Sequence, residues 1–468
     1  MKKKGFIHLI GIGGAGMTAL ANLLIEKGEK VSGSDIKDFP LRKMLQKKGI
    51  KIFIGHKKEN VLKAKEVVVS SAIPFSNPES QMAKKLKIPI FHRYHYLMKI
   101  LKDKKIIAIS GTHGKSTTTT LISFTLKSLG LKPTVYIGAK SKYFPLSSEW
   151  GKGEYAIIET DEHDKSFLLT PSYLPVILNV DNDHLNKKGP YKGKFSLLKK
   201  AFRDFEKVSG SGDSVLFLDD PFLFKLSKTS KNNVISFGLK NKNANFTVKN
   251  LKFYPYSFSY LSKGDIYLNK KFFSSFKLKL PGKENVLNML AALAVFKILR
   301  LDLKKCLKII EKFEPIGRRF NVLLKDQNLV IIDDHADHPT EIKATLKMAK
   351  LSFPKRRLVL VLEPHRYSRV SLLYNLYAKA IKDCDYLFLL PLDPADEKPL
   401  KGISSLKIYE AILKKKIKKE KEINFLNSDI NENFKIIKSK IKKGDVLIFM
   451  GPGKISKYPQ AFLKYYGS

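Results

Sequence analysis

Short apolar runs ending in glycine or an acidic residue alternate with amphipathic stretches along most of the chain. That rhythm predicts strand–helix alternation around parallel sheets. From Lys4 to about Lys104 the runs FIHLI, EKVSGSD, KIFIG and EVVVSSAI are interleaved with a helix to Lys27 and another around Leu41 to Lys48. A second segment opens with KIIAIS and the helix LISFTLKSLG, then gives the strands EYAII and LPVILNV. From about Asp204 to Phe276 it reads as short strands and turns without a chemical signal, before the long apolar helix in LKLPGKENVLNMLAALAVFKIL. A break at FEPIG, near Phe313 to Gly317, precedes LVIIDD, RLVLVLEP, DYLFLLPL and DVLIFMGPG. The expectation is an α/β chain of three domains: 1–104, a doubly wound nucleotide-binding unit; 105–316, an α/β unit built on a phosphate loop; and 317–468, a third α/β unit. A length of 468 residues fits three domains.

Composition narrows the class. With 43% hydrophobic and 28% charged residues the chain is globular, and its 2 cysteines give no disulfide framework or zinc spacing, which favours a reducing cytoplasm. The stretch from Gly5 to Ile25 lacks charge, but its five early glycines have strand–turn–helix spacing, so neither a signal peptide nor a membrane span is expected. The net charge of +44 invites a nucleic-acid reading. Lysines spread through every segment and no nucleic-acid motif is present, so the excess is read as solvated surface. Only ten of the 87 basic residues are arginine, which marks Arg318-Arg319 and Arg366/Arg369 as positions where a two-pronged grip is wanted.

The chemistry gathers at strand ends. Gly11-Ile-Gly13-Gly14-Ala15-Gly16 fits G-x-G-x-x-G, and Asp35 follows at a strand end, a pattern that lets a diphosphate approach a helix N-terminus while the carboxylate takes a ribose hydroxyl. Taken alone it suggests a dinucleotide such as NAD. The second turn, Gly111-Thr112-His113-Gly114-Lys115-Ser116-Thr117, shortens the usual phosphate loop, since Ile109 stands where its first glycine would be. Its backbone N–H groups can still cradle phosphates, with Lys115 reaching the terminal ones and Ser116 able to ligate Mg²⁺, so ATP is expected. Glu159, Asp161, Glu162 and Asp164, with Asp183 and His184, end the next two strands. Carboxylates there can hold Mg²⁺, although loop acids exposed to solvent are the competing reading for Asp161, Glu162 and Asp164. Asn285 can cap its helix or read an adenine edge. In the third segment, Asp333-Asp334-His335-Ala-Asp337-His338 and His365-Arg366-Tyr-Ser-Arg369 end two strands.

In order and spacing, the blocks IHLIGIGGAGM, VSGSD, FIGH..EN, VVVSSAI...NPE, GTHGKSTTTT, E.DE.D.SFL, ILN...DHL, PG..NVLN.LAA, RRF, DD.A.HPTEI, PHRYSR and GDVLIFMGPG resemble the Mur ligase family over almost the full length. Within it they are most similar to the members that join L-alanine to UDP-N-acetylmuramate. The resemblance implies a Rossmann-like domain holding a UDP-sugar rather than NAD, a central ATPase domain and a Rossmann-like C-terminal domain. It implies Mg²⁺-dependent use of ATP to join the lactyl carboxylate of UDP-N-acetylmuramate to L-alanine through an acyl phosphate, in peptidoglycan precursor synthesis. A soluble cytoplasmic monomer or weak dimer, with no nucleic-acid or membrane partner, is expected.

By resemblance, Gly11, Gly13, Gly14, Ala15, Gly16, Asp35 and Ser71 serve the UDP-sugar, and Gly111 to Thr117 cradle ATP. Lys115 neutralises its terminal phosphates, and Ser116, Glu159 and His184 hold the metal. Asn285 faces adenine, Asp334 ribose and Arg319 the γ-phosphate, with Arg318 a weaker choice for that role. His338, His365, Arg366 and Arg369 line the acceptor side. The chain departs from the family pattern at His335, Asp337, Glu284, Asn186, Pro452 and Lys454. Asp337 is read either as a carboxylate beside the incoming amine or as a turn residue ahead of Pro339. The alternatives to an L-alanine ligase are a related ligase with another amino acid or peptide acceptor and a non-catalytic UDP-sugar binder.

Overall fold

The computed structural model describes residues 5–138, 141–162, 165–181, 189–256, 259–280, 282–314, 318, 320–395, 397–414 and 422–467. The apolar runs become buried strands, because a strand covered on both faces needs continuous rather than alternating hydrophobicity. Strands β1 (Phe6–Ile10), β2 (Val31–Asp35), β3 (Lys51–Ile54), β4 (Ala64–Val69) and β5 (Ile90–His92) form an all-parallel sheet ordered β3-β2-β1-β4-β5. The order reverses between β1 and β4, so the Gly11–Gly16 turn after β1 and Ser71 after β4 flank the switch-point crevice where ligands bind in such sheets.

The second sheet is built on β6 (Lys105–Ser110), with β7 (Thr134–Tyr136), β8 (Ser148–Glu149), β9 (Tyr155–Glu159), β10 (Leu174–Ile177), β11 (Asp213–Phe217) and β12 (Asn233–Phe237). Within it these seven strands run in the order β8-β7-β9-β6-β10-β11-β12. The phosphate-loop strand β6 is therefore central, flanked by β9 and β10, with Ile109 beside Glu159 in register. The segment expected to be short strands and turns instead contains the last turn of the helix Phe195–Lys207, the helix Pro221–Thr229 and the long strands β13 (Phe246–Tyr256), β14 (Ser259–Leu268) and β15 (Lys271–Leu278). The signal missed for the second helix was Asp220-Pro221. The Asp220 carboxylate accepts from the Phe222 and Leu223 N–H groups while proline occupies the first turn, a strong helix start.

Strands β16 (Asn321–Lys325), β17 (Leu329–Asp334), β18 (Leu358–Leu362), β19 (Tyr386–Leu389), β20 (Glu422–Phe425) and β21 (Asp445–Met450) make the third sheet, ordered β16-β17-β21-β18-β19-β20. Only β16 pairs antiparallel. The chain gathers these sheets into two compact units. One comprises residues 1–247, 267–272 and 287–310, and the other 248–266, 273–286 and 311–468. The expected boundary at 104/105 is thus a boundary between sheets inside one unit.

Candidate functional site

The loop after β6 is built by its neighbours. Gly114 caps the helix Lys115–Ser128 with φ +85°, a left-handed conformation that glycine adopts without cost, and a Cβ there would lie 2.5 Å from Asn288 Oδ1. Asn179, just past β10, brackets the loop: its Oδ1 accepts from the His113 N–H at 2.8 Å and its Nδ2 donates to the His113 carbonyl at 2.9 Å. Thr112 Oγ1 accepts from the Asp181 N–H at 2.9 Å, and His113 Nε2 lies 3.5 Å from Asp181 Oδ2. The threonines that follow fold their hydroxyls back on the helix, Thr119 to the Lys115 carbonyl and Thr120 to the Ser116 carbonyl, which lets a threonine-rich run stay helical.

Lys115 sits within this cradle. Its Nζ donates to the Gly111 carbonyl at 2.7 Å and to both oxygens of Glu162 at 2.9 and 3.1 Å. Burial alone would depress the ammonium, but Glu162, Asp161 and Glu159 outweigh it and hold the group charged well above the lysine range. Burial pushes Glu162 up to about 7 against the pull of Lys115. Glu159, the last residue of β9, is raised by burial and steadied by Lys115, by the Gly138 N–H at 2.9 Å and by the Ser116 hydroxyl. A carboxylate touching a hydroxyl beside a phosphate loop is a set of hard oxygen donors, which fits Mg²⁺. This part of the site can hold an anionic phosphate chain and neutralise it.

The first glycine-rich turn is organised differently. Gly13 N–H donates to Asp35 Oδ2 at 2.8 Å, so the carboxylate expected to reach a ribose hydroxyl already ties down the turn. Gly16 is closely packed: Tyr136 Oη donates to its carbonyl at 3.1 Å, and a Cβ there would lie 2.5 Å from Arg93 Nη1, so a larger residue would have to displace the arginine. Arg93 in turn donates to Tyr136 Oη. Ser71 is exposed at the crevice.

In the second unit the polar strand ends pair largely with one another. Arg318 Nε donates to both Asp333 oxygens at 2.8 and 3.0 Å and its Nη1 to the Gly451 carbonyl at 2.9 Å. Burial pushes Asp333 up to about 6 against this pairing. Asp334 is buried, accepting from the Phe320 N–H at 2.7 Å and the Ala336 N–H at 2.8 Å. Asp337 pairs with Arg369 and lies 3.2 Å from His365 Nδ1. Burial would raise its carboxyl, but Arg369 and His365 outweigh this and lower it. His338 caps the helix Pro339–Ser352, its Nδ1 accepting from the Thr340 N–H at 3.3 Å. Arg366 is half-buried at φ +69°, strained for a residue with a Cβ.

Family models describing the Mur ligase family catalytic domain, the Mur ligase middle domain and the Mur ligase glutamate ligase domain match residues 6–105, 109–296 and 318–453. The chain is 39% identical over 459 residues, 98% of its length and 96% of the relative's, to a UDP-N-acetylmuramate–L-alanine ligase of Dictyoglomus turgidum. It is 39% identical over 460 residues, 98% and 97% of the two chains, to one of Aquifex aeolicus. This chain belongs to the Mur ligase family. Among solved structures it is similar to a UDP-N-acetylmuramate–alanine ligase of Thermotoga maritima, with a TM-score of 0.80 and 29% identity over 99% of each chain. A murein peptide ligase from Psychrobacter arcticus shares the fold at a TM-score of 0.68 and 21% identity over 99% of each chain.

The fold brings the loop Gly111 to Thr117, with Lys115 and Ser116, beside Glu159. It also adds two residues that the sequence reading did not single out as partners of the loop. Asn179 could have been found as the polar end of the strand beside β6, and Glu162 only by its burial. Expected roles change in the second unit. Asp334 is buried and its oxygens accept from the Phe320 and Ala336 N–H groups and the Thr345 hydroxyl, so a ribose hydroxyl there would have to share an acceptor already in use. Arg369 is turned inward to Asp337, so a grip on an amino-acid carboxylate would require breaking a buried pair. Asn285 lies half-buried in the first turn of the helix Lys283–Ile298. His184 and Arg319, expected at the metal and γ-phosphate, lie outside the described residues.

Proposed function

We propose that this protein is an ATP-dependent ligase that joins L-alanine to the lactyl carboxylate of UDP-N-acetylmuramate. The observation that carries the reading is 39% identity over 98% of the chain to relatives bearing that name. The substrate carboxylate would attack the γ-phosphorus of ATP, giving an acyl phosphate and ADP. The amine of L-alanine would then add to the acyl carbon, and phosphate would leave from the tetrahedral intermediate. No covalent enzyme adduct is needed, so the protein's work is positioning and charge neutralisation.

In this reading Lys115 holds the terminal phosphates, and Ser116 and Glu159, with His184, would hold Mg²⁺, whose chemistry is to neutralise the phosphate oxygens. The Gly11–Gly16 turn, Asp35 and Ser71 are assigned to the UDP-sugar, and His338 and Arg366 to the acceptor amino acid. The test is phosphate release that requires UDP-N-acetylmuramate, run against a panel of amino acids and a tripeptide acceptor. L-Alanine should be preferred. Release with the peptide alone would move the protein to the peptide-ligase branch, and UDP-sugar binding without release would leave it a binder. Lys115→Ala should abolish release and keep UDP-N-acetylmuramate affinity within about twofold by calorimetry, since distant sites act nearly independently. Loss of both together would refute the assignment of the first turn.

A further inference from the structure

Lys115 is fully engaged before any nucleotide arrives. An ammonium has three N–H donors, and three acceptors surround this one: the Gly111 carbonyl and the two Glu162 oxygens. The Glu162 side chain is only 2% exposed, so water cannot replace Lys115 as its partner without opening the site. Its main chain is also fixed, the carbonyl accepting from Tyr191 Oη at 2.5 Å, and Tyr191 is itself buried. The carboxylate therefore stays beside the loop, and a phosphate oxygen that bonds Lys115 must take the place of at least one Glu162 oxygen.

We propose that Glu162 is a positioning residue that serves as the resident anion of the phosphate loop, holding Lys115 over Gly111 and competing with nucleotide phosphates for its ammonium. The proposal rests on the ATP-ligase reading above. Without Glu162 the ammonium of the empty loop would keep the Gly111 carbonyl and the field of Asp161 and Glu159 but lose its two direct carboxylate bonds, which is costly. With it, phosphate binding exchanges one ion pair for another, and the net gain is much smaller than for a free lysine. The displaced carboxylate is left facing Asp161, a like charge that opposes the exchange. A triphosphate brings enough charge to offset this; a diphosphate brings less. Glu162 thus lowers affinity for the product ADP and favours its release.

Calorimetric titration of MgADP and of AMP into the wild type, Glu162→Gln and Lys115→Ala tests this. AMP reports whether the site is intact, because it lacks the phosphates that Lys115 reaches. Glu162→Gln should bind ADP about tenfold more tightly, the scale of one lost charge-assisted bond to a competitor, and AMP within twofold of wild type. Adding Lys115→Ala should erase the gain. Equal or weaker ADP binding with AMP unchanged would overturn the proposal, because Glu162 would then only support the posture of Lys115. If Glu162→Gln does not fold, Glu162→Asp, which retracts the carboxylate by one methylene, should shift ADP affinity in the same direction. If neither variant folds, Glu162 is a structural residue and the proposal fails. A wild-type protein that binds neither nucleotide would instead refute the ATP-site reading.

Discussion

Asp337 shows how one substitution within a family motif is absorbed locally. Its carboxylate meets Arg369 and His365, and its carbonyl accepts from Tyr377 Oη at 2.6 Å. Of the two readings open in the sequence, neither a solvent-facing turn nor a carboxylate free to meet an amine describes it. Removing one partner of a buried pair strands the other charge and typically costs about 3–5 kcal/mol. Asp337→Asn should therefore lower unfolding free energy by that order in denaturant titration. Arg369→Lys should also destabilise, while the KM for L-alanine in the folded enzyme stays within about twofold, since Lys keeps the charge but loses the fork. A tenfold rise in that KM at unchanged stability would return Arg369 to the acceptor.

At the scale of elements, both glycine-rich turns depend on what packs behind them. Gly114 must be glycine twice over, by its φ of +85° and by Asn288 Oδ1 2.5 Å from where a Cβ would stand. Gly114→Ala should strain the start of the helix Lys115–Ser128 by about 1–2 kcal/mol from the left-handed backbone alone, with the Asn288 clash added. We expect ADP affinity to fall tenfold or more and the melting temperature to drop by a few degrees. An alanine variant with wild-type ADP affinity would mean that the loop does not need this geometry. The first turn was readable from its spacing, but the roles of Asp35 and Gly16 were not. Hydrogen bonding of Asp35 to Gly13, and the approach of Tyr136 and Arg93 to Gly16, join positions 22 to 120 residues apart.

Across the molecule, the excess of lysine sets a background of self-repulsion against which buried carboxylates matter. Glu79 is fully buried under the first sheet. Burial would raise it, but bonds from His8, Ser34 and Asn60 bring it down to about 2 from an ordinary 4.5. Because the folded value lies below the unfolded one, its stabilisation is complete above about pH 4.5 and is lost as pH falls toward 2. The shift corresponds to roughly 3 kcal/mol. Glu79→Gln should flatten the acid limb of a stability–pH curve between pH 5 and 2, measured by denaturant unfolding at each pH. An unchanged limb would mean that other carboxylates drive acid unfolding.

The sequence by itself determined the strands that carry the strand-end motifs, the two glycine-rich turns and the family. Apolar runs of four residues, such as those in KIIAIS and LVIIDD, read as buried strands rather than helices because glycine or acidic ends cut them short, and turn chemistry is local. What only the tertiary structure decided was which charges are available. Glu162, Asp334, Asp337 and Arg369 all looked like exposed chemistry at strand ends, yet each is paired inside its own unit. Apart from the Ala336 N–H and the Thr345 hydroxyl on Asp334, their partners lie 14 to 47 residues away in sequence. Whether a charge faces ligand or protein depends on burial and on pairing across strands, and neither leaves a periodic trace along the chain.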